Sequence, residues 1–600
     1  MPFLDRGEGD TTSQKLLIAS NQLHDRTPTR WILFCAGLLS LDHQAHHNLS
    51  QFIRVSNILR NYMIVSGVGL GQFVEFFRFK NRKYSSNNHS TSFSQDSLQT
   101  DMGRHVSREF RVSPNVLVDS NNLPTDAEEL KEELKNIHQQ ECSEQIHFVI
   151  HFTRSGNFHQ CKRQENRRSE LKSQVEALQQ FTGSVTHSDF ESIELGEKDN
   201  ARFDLRKSIR GYDVAGNENQ LPIEIFAPAL RVLRSSKHSS QGMFSTRFER
   251  PFLTVHAGED FSHLLSGLRS VDEAVVFCDY QKGDRIGHGL ALGQSPRKWA
   301  VRQQLAYLTV GEHLDNLVWC FQKALEVTQK AAQFTGVLHL LQEKISYWSS
   351  YLYGETYSCS EQYQAWLLRR NCPNVLKVQQ YPKNREEQPF VDPKNASWNG
   401  WVIDHDKLTS QAINKISIKL WKQYLFSAQD EDFAKRNEII TINCILKLQQ
   451  PPFGIENGLK FDSISSAEIE LYEAIQDLIM EQYARKGIVI EACPTSNIYI
   501  GRFKHYHEHP IYRWNPPEQD WLREGGKFNK FGLRRGSVPV CINTDDSALM
   551  PTTIRNDHRI VMETAMHHFD VGANRAEDWI DRIREKGVEV FLDNHLNWVK

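Results

Sequence analysis

No Cys-x-x-Cys pair occurs among the ten cysteines of this 600-residue chain, and the cysteines are scattered rather than gathered in one block. That absence excludes a disulfide framework and a cysteine-built zinc site, and it favours a reducing, intracellular setting with buried thiols. Long apolar runs are missing too. The most apolar early stretch, Trp31 to Leu41, is too short for a membrane span and lacks the flanks of a signal peptide. Charge of one sign is not in excess: 71 Lys and Arg against 74 Asp and Glu give a formal net charge of -3. Such a balance argues against a general binder of nucleic acid or membrane surfaces. Neither a P-loop nor a specific nucleic-acid-binding motif is present. A cytoplasmic protein without a membrane partner is expected. Hydrophobic residues at 39% and charged residues at 24% leave ample material for a core. Six hundred residues exceed one ordinary domain, although a barrel with a large insertion would absorb most of them.

What the chain does have is a rhythm of short apolar strands. Residues 1–80 read as mainly helical, with Phe52, Val55, Ile58, Leu59 and Tyr62 three and four apart and one short apolar run at Leu16 to Ser20. Residues 81–100 are a Ser/Asn-rich loop. Strand patterns follow at Arg108–Ser113, Gln145–Thr153, Ile209–Glu218, Phe252–Glu259 and Asp284–Gly289, with helical patterns at 166–181 and 223–233. Residues 297–378 read as long helices, and 379–400 as a linker broken by Pro382, Pro389 and Pro393. Helical patterns return at 405–427 and 465–486, strands at Gly487–Pro494 and Val538–Asp546, and a helical region covers 555–600.

Seven strands with polar residues gathered at their C-terminal ends predict a parallel barrel whose active site lies at that face. The expected fold class is α/β, a (β/α)8 TIM-like barrel. Its first strand is missing or degenerate, and a large, mainly helical insertion separates strands 6 and 7. Residues 1–293 would form the N-terminal part of the barrel (strands 2–6), 294–486 the insertion, and 487–600 strands 7–8 and the final helices. The missing strand should precede Arg108, where only Leu16 to Ser20 offers itself.

The chemistry gathers at strand ends. His256 ends one strand and Glu259 follows it by one glycine turn; His288 lies between two glycines; Asp545 and Asp546 end the last strand. Histidine and carboxylate are the ligands a catalytic zinc takes while leaving a position for water. A nearby glutamate would move the proton. Taken singly, a strand-end histidine is more often a hydrogen-bonded structural residue, and an Asp-Asp pair is more often a turn or helix cap. Their joint position on three strand ends favours one metal-dependent site.

As a set and in order, His256-Ala-Gly-Glu259, Arg285-Ile-Gly-His-Gly289, Cys493-Pro-Thr-Ser-Asn497 and Asn543-Thr-Asp-Asp546 resemble the motifs of the adenosine deaminase family. So do Tyr212-Asp-Val-Ala-Gly-Asn-Glu218, Phe110-Arg-Val-Ser-Pro114 and His509-Pro-Ile511. The resemblance covers roughly residues 50–293 and 487–600. It implies one Zn2+ per active site, with His256 and Asp545 as ligands. Glu259 would be the proton shuttle, and His288 would orient the zinc hydroxide. Asp546 would hold the purine from its N7 side, and Gly216 would offer its backbone N–H to the ring. The implied reaction is hydrolytic deamination of adenosine or adenine nucleotides to inosine-type products and ammonia. Deaminases built on H-x-E and P-C-x-x-C ligands are a different architecture.

The chain departs from the family pattern twice. The family's first strand supplies two more zinc ligands from an H-x-H pair, and none occurs upstream of Arg108. His43, His46 and His47 have the wrong spacing, and His505-Tyr-His507-Glu-His509 follows the Cys-Pro-Thr-Ser-Asn motif instead. The expectation drawn from this is a 5′-truncated version of a longer protein. The second departure is the insertion. Its size and placement resemble the large deaminase subunit of RADAR-type phage-defence systems, which implies a homo-oligomer, an ATPase partner protein and a role in antiviral defence. The reading that competes with an enzyme is a non-catalytic or truncated subunit that keeps the pocket as a purine-binding scaffold. Barrel hydrolases that bridge two metals through a lysine are disfavoured, because no lysine sits at a strand end.

Overall fold

Each expected strand alternates apolar residues with charged or small ones, and seven such strands pair side by side in the computed structural model of the chain. The structure describes residues 50–51, 54, 108–118, 146–154, 161–183, 192–194, 202–204, 208–219, 221–234, 251–376, 400–403, 413–426, 431–446, 451–500, 503–545 and 552–594. The chain divides into two compact units, Met1–Arg82 and Lys83–Lys600, and every element named below belongs to the second. Leu16 to Ser20, His43, His46, His47, the 81–100 loop, residues 379–399 of the expected linker and Asp546 lie outside the described residues.

In chain order the strands are β1 (Arg108–Val112), β2 (Ile146–Thr153), β3 (Ser192–Glu194), β4 (Arg202–Asp204), β5 (Ile209–Ala215), β6 (Phe252–Ala257) and β7 (Arg285–His288). There follow β8 (Leu305–Thr309), β9 (Ile439–Asn443), β10 (Phe453–Glu456), β11 (Leu459–Ser463), β12 (Val489–Ala492) and β13 (Val540–Ile542). The helices are α1 (Cys161–Gly183), α2 (Ala227–Arg234), α3 (Leu264–Phe277), α4 (Pro296–Gln303), α5 (Val310–Thr328), α6 (Thr335–Tyr353) and α7 (Cys359–Leu368). After them come α8 (Lys415–Phe426), α9 (Ser466–Lys486), α10 (Pro494–Ile500), α11 (Ile511–Trp514), α12 (Ile554–Phe569) and α13 (Ala573–Asn594).

All seven expected strands enter one curled sheet, in the order β1-β2-β5-β6-β7-β12-β13 with every neighbour parallel. Because side chains alternate across a strand, the two faces separate by chemistry. Phe148, Ile150, Tyr212, Val214, Leu253, Val255, Ile286 and Ile490 are buried on the apolar side. Glu109, Arg111, Asp213, Thr254, His256, Arg285 and Glu491 share the other side by register. Gly287 keeps β7 close to β6, since a Cβ there would lie 3.2 Å from both Cα and Cγ of His256.

The 294–486 segment differs from the expected run of long helices. It holds α4 to α9 and also a four-stranded sheet in the order β10-β11-β9-β8. Strand β8 interrupts the helical run because Gln304, at φ 57, ends α4. Beyond it Leu305 and Tyr307 are exposed while Ala306 and Leu308 are buried, the period of a strand. Asn457 and Gly458, both with positive φ, make the two-residue turn between β10 and β11. Helix α7 opens with a Ser358–Glu361 capping box and α9 with Ser465–Glu468. Left-handed Gly487 ends α9 and delivers the chain into β12.

Helix α3 is where the insertion grips the sheet. Asp272 accepts from Nε1 of Trp319 at 2.8 Å and the hydroxyl of Tyr483 at 3.2 Å, and pairs with Lys323 at 3.1 Å. Glu273 accepts from Nε1 of Trp366 at 2.8 Å. A continuous hydrophobic cluster runs from Val255 and Leu268 through Trp319 to Leu341 and Trp348. Among the described residues no helix is long and apolar enough to cross a membrane, and Cys278, Cys320, Cys359, Cys372, Cys444, Cys493 and Cys541 are free.

His263 caps α3, with Nδ1 accepting the N–H of Leu265 at 3.1 Å and the ring edge-on to Trp299. Burial, reinforced by His313, pushes its pKa down to about 3. An unfolded histidine binds its proton near pH ~6.5. The neutral folded ring therefore contributes fully above that pH, and stability falls by about 1.4 kcal/mol per pH unit as pH drops towards the folded pKa. His263→Asn keeps a capping acceptor that does not titrate. Acid unfolding followed by circular dichroism should lose about one proton of pH dependence between pH ~6 and ~4 in this variant; an unchanged slope would refute the assignment.

Candidate active site

Strands β1, β2 and β6 bring three side chains onto one carboxylate of β5. Asp213, with no solvent exposure, accepts from Nδ1 of His256 at 3.0 Å and Nδ1 of His151 at 2.9 Å, and pairs with Nη1 of Arg111 at 3.3 Å. Burial opposes ionisation, but His256 and Arg111 outweigh it and hold the Asp213 carboxyl well below its usual range. The bond to Nδ1 turns Nε2 of His256 towards the site, which is how a carboxylate orients a metal-binding imidazole. Burial disfavours the His256 imidazolium, yet Asp213 raises its pKa above the ordinary value.

Beneath this hub the sheet interior is charged. Arg111 donates to Glu491 Oε1 at 2.5 Å and to Thr254 Oγ1 at 3.3 Å. Arg285 pairs with Glu109 at 2.6 Å and with Glu491 at 3.3 Å, and Glu109 meets His147 at 2.8 Å. Against the cost of burial, Arg285 holds Glu109 ionised and Arg111 holds Glu491 ionised. Burial also opposes the charge of Asp545, which His288 and the hydroxyl of Ser496, at 2.6 Å, keep below the ordinary range. Three carboxylates are thus held ionised around the two guanidiniums of Arg111 and Arg285, with Asp545 at the neighbouring strand end.

Above the hub, the ends of β6, β7 and β13 converge. The rings of His256 and His288 are 4.9 Å apart. His288 Nδ1 is 3.4 Å from Glu259 Oε1, and its Nε2 is 3.9 Å from Asp545 Oδ2. His288 and Asp545 adopt left-handed backbone, with φ of 63 and 59. Burial, then Asp260 and Asp545, raise the Glu259 carboxyl well above its usual range, which favours its protonated form. Its buried Oε1 has no hydrogen-bond partner. Burial brings His288 down to about 4, so its ring is neutral near pH 7.

A chain of hydrogen bonds fixes which His288 nitrogen carries the proton. The N–H of Cys493 donates to Asn497 Oδ1 at 3.2 Å, which orients that amide. Nδ2 of Asn497 then donates to His288 Nδ1 at 2.7 Å, leaving the proton on Nε2, the atom facing Asp545. Asn497 Oδ1 also accepts from His509 Nε2 at 3.0 Å, while His509 Nδ1 accepts from the N–H of Ile511 at 3.1 Å. Every tautomer in the series follows from a backbone donor.

Of the residues singled out in the sequence, His256, Glu259, His288 and Asp545 come together. Gly216 follows β5 with φ 97, against the backbone of Arg154. The His505 and His507 rings stack at 5.2 Å on a 3-10 turn beside His568, not on a strand. The donor set fits part of a zinc site: His256 Nε2 and the Asp545 carboxylate have the right chemistry. It does not complete one. Among the described residues no three His, Cys, Asp or Glu side chains are grouped to hold a metal, and Nη1 of Arg111 lies 3.2 Å from His256 Nε2.

His151 and Glu491 were not singled out from the sequence, and Arg111 and Asp213 stood in quoted motifs without a role. Their signal was a charged or histidine side chain inside an otherwise apolar strand. Asn497 and His509 stood in recognised motifs without a role. Asn497→Leu should leave the Cys493 N–H and the His509 ring unsatisfied and destabilise the fold by about 1–3 kcal/mol, measured by denaturant unfolding; a loss below ~0.5 kcal/mol would refute the relay. A scan of protein-family models gives no match to this chain, and a search of curated proteins finds none either.

Proposed function

We propose that the chain is a zinc-dependent hydrolase of the adenosine deaminase family. It would remove the exocyclic amine of adenosine or an adenine nucleotide by hydrolysis, giving an inosine-type product and ammonia. The observation that carries this reading is the convergence of His256, Glu259, His288 and Asp545 at one end of a parallel sheet. The barrel would be eight-stranded, the remaining strand lying between β13 and β1 and supplying further ligands.

His256 Nε2 and Asp545 would hold the zinc, which when bound acidifies water to a pKa of ~7. Glu259 gives its proton to the purine ring as the attacking hydroxyl oxygen adds at C6, then takes up the proton that this hydroxyl sheds and passes it to the departing amine. His288, with its proton on Nε2, orients that oxygen. Asp546 meets the purine from its N7 side, and the Gly216 N–H meets the ring.

A second reading rests on one contact. The Arg111 guanidinium at His256 Nε2 suits a purine-binding scaffold that does without metal. Homo-oligomer formation, an ATPase partner and a part in antiviral defence belong to the proposal through the size and place of the 294–486 segment.

Adenosine, AMP and ATP assayed side by side by ultraviolet absorbance, with metal analysis of the same protein, separate these readings. Bound zinc with turnover is expected, and Glu259→Gln should lower turnover about 10²–10⁴-fold while retaining the metal. Metal-free protein that binds purine without turnover would overturn the enzyme reading in favour of the scaffold.

A further inference from the structure

The loop after β5 ends in a carboxylate that none of this chemistry uses. Glu218 Oε1 accepts the backbone N–H of Glu259 at 2.8 Å and of Asp260 at 3.2 Å. Its Oε2 accepts the N–H of Gly258 at 2.9 Å and the hydroxyl of Ser270 at 2.5 Å. Three consecutive amides aimed at one anion form a nest, a backbone arrangement that needs negative charge at its focus. The turn that builds it is demanding. Gly258 has φ 75, and a Cβ there would come within 2.5 Å of Val271 Cγ2. Ser270 lies on α3, so Glu218 joins three pieces: the β5 loop, the turn after β6, and the helix that the insertion grips.

We infer that Glu218 is a positioning residue, a clamp that holds the His256-Ala-Gly-Glu259 turn closed so that the Glu259 side chain faces His288. Without the clamp, three N–H groups lose their shared acceptor and the turn is free to rotate the Glu259 side chain off the site. The negative charge of Glu218 acts in the same sense: after burial, Asp260 and Asp545, it helps to keep the Glu259 proton in place. The kinetic consequence rests on the deaminase reading; the clamp itself does not.

The test uses the full chain with Glu218→Ala and Glu218→Gln, the second keeping one carbonyl acceptor at the nest. Amide hydrogen exchange of the peptide covering residues 256–261 is compared with that of peptides from β5 and β6. Glu218→Ala should speed exchange at residues 258–260 by about tenfold or more while the strand peptides keep their protection. On the best purine substrate, kcat should fall on the order of 10–100-fold. KM should stay within ~3-fold, with Glu218→Gln between wild type and alanine. Unchanged exchange in the turn, or a uniform loss of protection through β5 and β6, would overturn the clamp. If the alanine variant does not fold, the glutamine variant carries the exchange comparison. If wild type turns over no adenine substrate, the deaminase reading fails while the exchange result still decides the clamp.

Discussion

A buried carboxylate with no solvent contact survives only when its charge is paired, and Asp213 is paired three times. Everything at the centre of the sheet follows from that need. To reach Asp213, Arg111 must come from β1, His151 from β2 and His256 from β6, which ties the register of three strands to one another. The apolar face alone would tolerate several packings. The charged face adds a demand the apolar face does not make, since a slip of any of these strands would leave Asp213 short of a partner.

The same constraint explains what could be read from residues alone. The seven strands of the sheet were legible because their apolar side repeats with period two and their ends carry glycine or proline. Strand β8 was not, since Leu305 to Thr309 is short and lies between helix-rich segments. The Asn457-Gly458 turn was a legible hairpin signal that a helical reading of the region obscured. His256, Glu259, His288 and Asp545 were found because they stand at strand ends, where motif grammar applies. Arg111, Asp213 and Glu491 stand within strands, and only register reveals that residues so far apart in sequence share one ionic group.

The insertion interrupts the strand rhythm without interrupting the core. Trp319 and Trp366 donate to acidic residues of α3, and Lys344 is buried between Asp462 and Glu468, so its helices and small sheet are built as tightly as the parallel sheet. Helix α3 begins just after the turn that carries Glu259, and Ser270 on the same helix touches the Glu218 clamp. The segment that looks like an addition thus rests on the element that supports the Glu259 turn.

The left-handed backbone at His288 and Asp545 carries strain. Strain of this kind is on the order of 1–3 kcal/mol at each position, less for aspartate than for histidine. Glycine would relieve it at either place. It would also lose the hydrogen bonds from Asn497 to His288 and from Ser496 to Asp545, so the partners of the two side chains hold that strain in place, as a latch holds a bent spring.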